Sequence, residues 1–243
     1  MCNKTVQTDA ACHDQPGQRW ARPVLRFTAL FLFCVLLALL IQLAWRSAQA
    51  FELHHRAYVS LQGWLSGHQT PTPDRWQRNK IHLLTAINYQ PANATFINTL
   101  GRLYLYRGLS LEKAPQTQVL NILKAKRAFK RAILLRPAWV YPWLNLAVAD
   151  AALKLVDAEF IHAYWMAFRL GRWEENTMPQ LIELGIVHFH RFSLQEQLRF
   201  KSYMVSALRN RSDHLQPLRH DRRLLNMACK VIDGDAAGRE FCQ

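Results

Sequence analysis

The chain has 243 residues, half of them hydrophobic and 20% charged, with eight Trp, nine Gly and ten Pro. That balance excludes a disordered or collagen-like chain and fits one medium domain with accessory segments. The net charge is +14 and uneven: between Leu53 and Ala149 thirteen basic side chains stand against two acids, Asp74 and Glu112. Such a region suits acidic partners, namely anionic lipid headgroups, an acidic glycan or nucleic acid, or it is a solvated face near a membrane.

Residues 1–26 are polar and basic and read as a disordered tail. Residues 27–45 follow without a charge, and their polar members are Thr28 and Gln42. As a helix they cover roughly 28 Å, close to the thickness of a hydrocarbon core. Two membrane readings fit. One is an uncleaved single-pass anchor, favoured by the length of the span and the tail ahead of it. The other is a signal peptide cut after Ala48-Gln49-Ala50. Arg19, Arg22 and Arg26 precede the span and Arg46 and Arg56 follow it. The positive-inside rule then puts the N-terminus in the cytoplasm and the remaining chain in the periplasm of a bacterial inner membrane.

Residues 46–73 read as a juxtamembrane helix broken by the linker Ser66–Pro73. Asp74 is placed to cap the next helix, which stops before Pro91. In 125–137, Ala125, Ala128, Phe129, Ala132 and Ile133 share one helical face, and Pro137 ends the helix. Small, large, small and proline at these offsets form the second helix of a tetratricopeptide (TPR) hairpin. Leu83, Ala86 and Pro91 repeat the offsets of Phe129, Ala132 and Pro137. Counting on from Pro91 puts Ile97, Leu100, Gly101 and Tyr104 at the packing positions of a first helix, and counting from Pro137 puts Trp143, Leu146 and Ala147 there. Asp150 departs from the pattern. Pro91 and Pro137 are 46 residues apart, against about 34 for a TPR. The excess falls between the paired helices, in an insertion near 108–119 that is loop-like at Ser110 and Pro115 or extends the following helix backwards.

Further on, Phe160–Arg169 is helical and Gly171 is read as its C-cap. Leu181, Leu184, Gly185 and His188 form a degenerate third first-helix. Ser193 caps a helix over 194–209, 210–217 is a linker, and an amphipathic helix over 217–231 closes the end as a solenoid cap. The fold class expected is all-α: one N-terminal transmembrane helix, then a TPR-like right-handed α-solenoid over 74–209 of about three hairpins, with a capping helix and tail over 210–243.

No nucleophile, phosphate-loop or metal signature is present, so no enzyme, cofactor or small-molecule substrate is expected. His188 and His190 lie two apart and diverge on a helix. Glu174-Glu175 sits at a helix turn. Cys229 and Cys242 form a disulfide if the domain is exported, or are two unrelated thiols near a frayed end. In a TPR array the first helices line a groove, here Thr95, Asn98, Arg102 and Tyr106, then Tyr141 and Asn145. That groove can hold an extended partner segment, or its residues are a wet surface. TPR grooves that grip a C-terminal carboxylate carry a lysine where this chain has Asn98.

Leu-Gly-Arg-Leu-Tyr at 100–104, Arg-Pro-Ala-Trp-Val-Tyr-Pro-Trp-Leu-Asn-Leu-Ala at 136–147, Asp-Ala-Glu-Phe at 157–160 and Leu-Gly-Arg-Trp-Glu at 170–174 together resemble the VpsP-type polysaccharide-biosynthesis proteins. The resemblance spans roughly 50–243. It implies a non-catalytic scaffold docking onto membrane proteins of a bacterial exopolysaccharide assembly or export system. The alternative is an assembly factor for another envelope complex, such as cytochrome c maturation. An exported domain disfavours nucleic acid as the partner.

Overall fold

The computed structural model describes residues 18–210, 215, 218, 220–233 and 236–242, with side chains from Phe27 onward apart from those of 236, 237 and 239. Every regular element among the described residues is helical. In chain order these are α1 (Gln18–Leu65), α2 (Pro73–Tyr89), α3 (Ala94–Tyr106), α4 (Pro115–Leu135), α5 (Val140–Ala152), α6 (Ala158–Gly171), α7 (Met178–Val187), α8 (Leu194–Asn210), α9 (Arg222–Val231) and α10 (Ala236–Cys242). A π-helical turn (Arg107–Leu111) and a 3-10 turn (Phe189–Arg191) complete the set. The tail 1–17, with Cys2 and Cys12, and most of the expected 210–217 linker lie outside the described residues.

The chain divides into two compact units, Met1–Gln49 and Ala50–Gln243. In the first, the side chains of 27–45 are exposed throughout, and the most apolar window of α1 has a mean hydropathy of 2.6. A run of exposed Leu, Ile, Phe and Val of this length marks a surface for a membrane or a protein partner. The helix is long and apolar enough to cross a membrane, and it is the one such candidate among the described residues. It starts at Gln18, ahead of the apolar run, so the tail expected to be disordered up to residue 26 is helical from residue 18.

In the second unit, consecutive helices from α2 to α6 pack on one another. Side-chain contacts give their directions. Trp76 Nε1 donates to the Leu103 carbonyl at 3.1 Å, linking the start of α2 to the end of α3. Arg131 reaches the Pro91 carbonyl at 2.9 Å, while Lys124 lies over the Tyr104 ring, so α3 and α4 run antiparallel. Val140 meets Gly171 at one end of the α5–α6 pair, and Trp143 meets His162 further along, again antiparallel. Phe51 and Trp64 of α1 touch Phe96 and Tyr106 respectively, so this part of α1 runs parallel to α3. The Asn145 amide donates to Asn98 Oδ1 at 3.1 Å and joins α5 to α3. Helix α9 packs on α7, and α10 packs on α8 and α9.

Local chemistry sets the helix ends. Asn93, Asp157 and Asp221 each accept from two backbone N–H groups of the following turn. Ser193 and Glu196 cap α8 reciprocally, Ser193 N–H donating to the carboxylate at 2.8 Å. Thr72, not Asp74, caps α2: Pro73 takes the first helical position and leaves Asp74 in the first turn. Gly67, at φ +73°, turns the chain after α1 in a conformation that a Cβ would strain.

Of the expected packing residues, Leu100, Gly101, Ala125, Phe129, Ala132, Leu146 and Ala147 are buried and Tyr104 is half-buried. A Cβ at Gly101 would sit 2.5 Å from Phe129 Cε1, so the glycine admits the ring. Gly185 plays the same part for Phe200, 2.3 Å from a virtual Cβ. Trp143 is a half-buried edge residue whose indole donates to the carbonyl of exposed Pro137 at 2.8 Å.

One local expectation is corrected. Gly171 is the last residue of α6 and not a left-handed cap; its lack of a side chain makes room for Val140. Of the two forms expected for 108–119, the structure takes mainly the helical one: the π turn, a short non-helical link at 112–114, then the start of α4, which Pro115 opens. An Arg107–Glu112 ion pair and a 2.7 Å bond from Gln118 Nε2 to the Glu112 carbonyl hold it, and Gly108 lets Ile122 close in.

Asp150 is fully buried on α5. Its Oδ1 lies 2.5 Å from Lys126 Nζ of α4, and Lys126 also reaches Glu159 of α6 at 2.9 Å. Lys130 completes the network on Glu159. Burial pushes the Asp150 carboxyl up against the opposing pull of Lys126. Cys229 and Cys242 are disulfide-bonded, tying α9 to α10.

Candidate functional site

The parallel run of α1, α3 and α5, continued by α7, walls a cavity of about 520 Å³. His54, Tyr58 and Gln62 line it from α1; Thr95, Asn98, Thr99 and Arg102 from α3; Tyr141, Leu144 and Asn145 from α5; Gln180 from α7, with Trp139 and Asn176 from the flanking loops. Four of the five groove residues read from the sequence, Asn98, Arg102, Tyr141 and Asn145, are brought together here. Tyr106 lies instead in a second cleft of about 610 Å³, which Arg102 and Asn145 also line.

Each polar side chain has a physical anchor. Thr99 donates its hydroxyl to the Thr95 carbonyl at 2.9 Å, so its oxygen is left to accept from His54 Nε2–H at 3.0 Å. The His54 ring stacks on Phe96, 4.7 Å between centroids. Burial, followed by the neighbouring His55, brings the His54 pKa down to about 4, so the imidazole is neutral at pH 7. Asn98 is buried and holds Asn145 across the two helices. The Tyr141 hydroxyl donates to Glu174, and burial, then that carboxylate, raises its pKa. Burial also lowers the Arg102 pKa, which the Tyr58 hydroxyl beside it opposes, but a guanidinium stays charged at neutral pH.

Among the described residues no Asp or Glu lines the cavity. It presents one cation, a set of amides and three aromatic rings, Tyr58, Trp139 and Tyr141. Amides and backbone-like donors of this kind pair with a peptide backbone, and rings supply apolar contact area. Among the described residues no three His, Cys, Asp or Glu side chains converge as a metal site. No protein-family model matches the chain, and no curated protein is significantly similar to it.

The sequence count missed the α1 wall and the α7 contribution. His54, Tyr58 and Gln62 recur every four residues beside the buried stripe of Ala57, Leu61 and Trp64. That polar stripe was the available signal. It lies ahead of the first proline register, so counting from Pro91 never reached it.

Proposed function

We propose that this chain is a membrane-anchored, non-catalytic scaffold built of TPR-like helical hairpins, acting in bacterial exopolysaccharide biosynthesis or export, with its domain on the periplasmic side. The observation that carries this is the groove: alternate helices run parallel and line one face, while the helices between them back it. Gly101 against Phe129 and Gly185 against Phe200 are the same small-to-large contact at two places in the chain, which supports a repeated unit. The disulfide favours an oxidising compartment. The polysaccharide pathway rests on the residue resemblance described above. The groove would hold an extended segment of a membrane partner, its backbone paired by Asn98, Asn145 and Gln180 and an acidic side chain taken by Arg102.

The test is affinity capture of the full chain from bacterial membranes, wild type against Arg102→Glu and Asn145→Leu. Polysaccharide-assembly membrane proteins should be captured by the wild type and lost with either variant, while far-UV circular dichroism shows both variants folded. Capture that neither variant alters would refute the groove as the docking surface. Capture of haem-handling proteins instead would replace the pathway with cytochrome maturation.

A further inference from the structure

The unit that begins at Ala50 is entered by the chain at one end, and several contacts gather there. Phe51 of α1 meets Phe96 in the first turn of α3, with ring centroids 5.3 Å apart. Arg131, near the end of α4, donates to the Pro91 carbonyl at 2.9 Å. The α2–α3 and α4–α5 turns therefore lie at this same end. Its surface is apolar and basic. Leu134, 83% exposed, is the most exposed large hydrophobic of the unit among the described residues, and Leu135 and Phe51 are exposed as well. The Arg136 guanidinium stands 5.2 Å from the ring centroid of half-buried Trp139. Neither Arg131 nor Arg136 meets a carboxylate among the described residues. Asp74 and Glu112, the two acids of 53–149, lie at the opposite end, in the first turn of α2 and just past α3. Glu52 and Glu174 are at the near end but are engaged by Arg56 and Tyr141, and Glu175 stands on the α6–α7 turn.

We propose that this end is a docking surface for an anionic lipid bilayer. Covalent geometry argues for that occupant. The charge-free run ends at Trp45, and Ala50 follows it by five residues. Fully extended, that stretch covers at most about 18 Å. The tether keeps this end within reach of any bilayer that holds residues 27–45. The side chains argue the same way. Guanidinium groups pair with lipid phosphates, an indole suits the headgroup layer, and exposed leucines enter the acyl boundary. A free anion would satisfy the arginines and leave Leu134 uncovered. The proposal rests on the membrane anchor alone and is independent of the groove and of the polysaccharide pathway.

Photo-crosslinking of the full chain in nanodiscs tests this, with p-benzoylphenylalanine replacing Leu134 and mass spectrometry reading the adduct. In phosphatidylcholine containing about 30% phosphatidylglycerol a phospholipid adduct is expected. Its yield should fall at least about threefold in phosphatidylcholine alone, and likewise in Arg131→Gln/Arg136→Gln, because each arginine adds to the attraction of an anionic surface. Leu194 is the control. It is 74% exposed and starts α8, just past Arg191, which reaches the Val156 carbonyl in the α5–α6 turn at the opposite end. The same replacement there should give no lipid adduct. If the double variant does not fold, the two lipid compositions decide the matter. The docking is overturned by no lipid adduct at Leu134, by equal yield at Leu194, or by equal yield in the two compositions. It is equally overturned by a folded double variant with unaltered yield, or by an adduct that joins two copies of the chain. A chain that enters the discs without the adduct loses the docking alone. A chain that does not enter them loses the anchor, and the docking with it.

Discussion

The contact between Gly101 and Phe129 offers a quantitative test of the packing. Replacing Gly101 by Ala places a Cβ 2.5 Å from Cε1, 2.7 Å from Cδ1 and 3.1 Å from Cζ of a fully buried ring. The ring must move, and overpacking of this sort costs about 1–3 kcal/mol. Alanine is the better helix former by about 1 kcal/mol, which offsets part of that. A net loss of up to about 2 kcal/mol follows, or a fall in Tm of up to roughly 8 °C for a domain of this size. Phe129→Leu alone should also destabilise, by leaving space. The double variant should be better than the sum of the two by about 1 kcal/mol, because the new methyl then fills what the ring vacated. Circular dichroism melts of the full chain in detergent measure all three. A higher Tm for Gly101→Ala, or simple additivity in the double variant, would show that α3 and α4 do not meet through this pair.

Lys126→Met should destabilise by about 3–5 kcal/mol because it strands the buried Asp150 charge. Asp150→Asn should cost less, about 1–2 kcal/mol, since Lys126 keeps Glu159; denaturant midpoints compare the two. Acid should weaken the fold. The folded pKa of His54 is about 4, below its unfolded value, so stability is intact above pH 6.5 and falls as pH drops from 6.5 to 4. The loss is roughly 1–2 kcal/mol after allowing for solvent screening of a half-exposed ring. Burial also lowers the His188 pKa and adds in the same direction. Urea midpoints at pH 7.5 and 4.5 read the slope, which His54→Gln should flatten. Reducing the Cys229–Cys242 bond, 13 residues apart, should remove about 3 kcal/mol by loop entropy. The loss should appear as faster hydrogen exchange in α9 and α10.

Much of the helical organisation was legible because it is written in local chemistry. Pro91 and Pro137 lack an amide hydrogen and end α2 and α4 just ahead of them. Asn93 and Asp157 start helices with short acceptor side chains. The charge-free run at 27–45 is legible as a candidate membrane span by its length and composition. Spacing also identified Asn98, Arg102, Tyr141 and Asn145 as neighbours in one cavity, because residues at set offsets on parallel helices face the same side.

Other features depended on partners distant in the chain. Asp150 looked like a fault in the pattern; it is accommodated because Lys126, from another helix, reaches it. Gly171 reads in the sequence as a cap, but Val140 occupies the place a side chain would take there. The Asn98–Asn145 bond exists only once α3 and α5 lie side by side. The sequence by itself determined where helices begin and end and which side of each is apolar, since those follow from nearest neighbours along the chain. Only the tertiary structure decided which polar groups are buried, paired or left without a partner, since burial depends on side chains brought close from far along the chain.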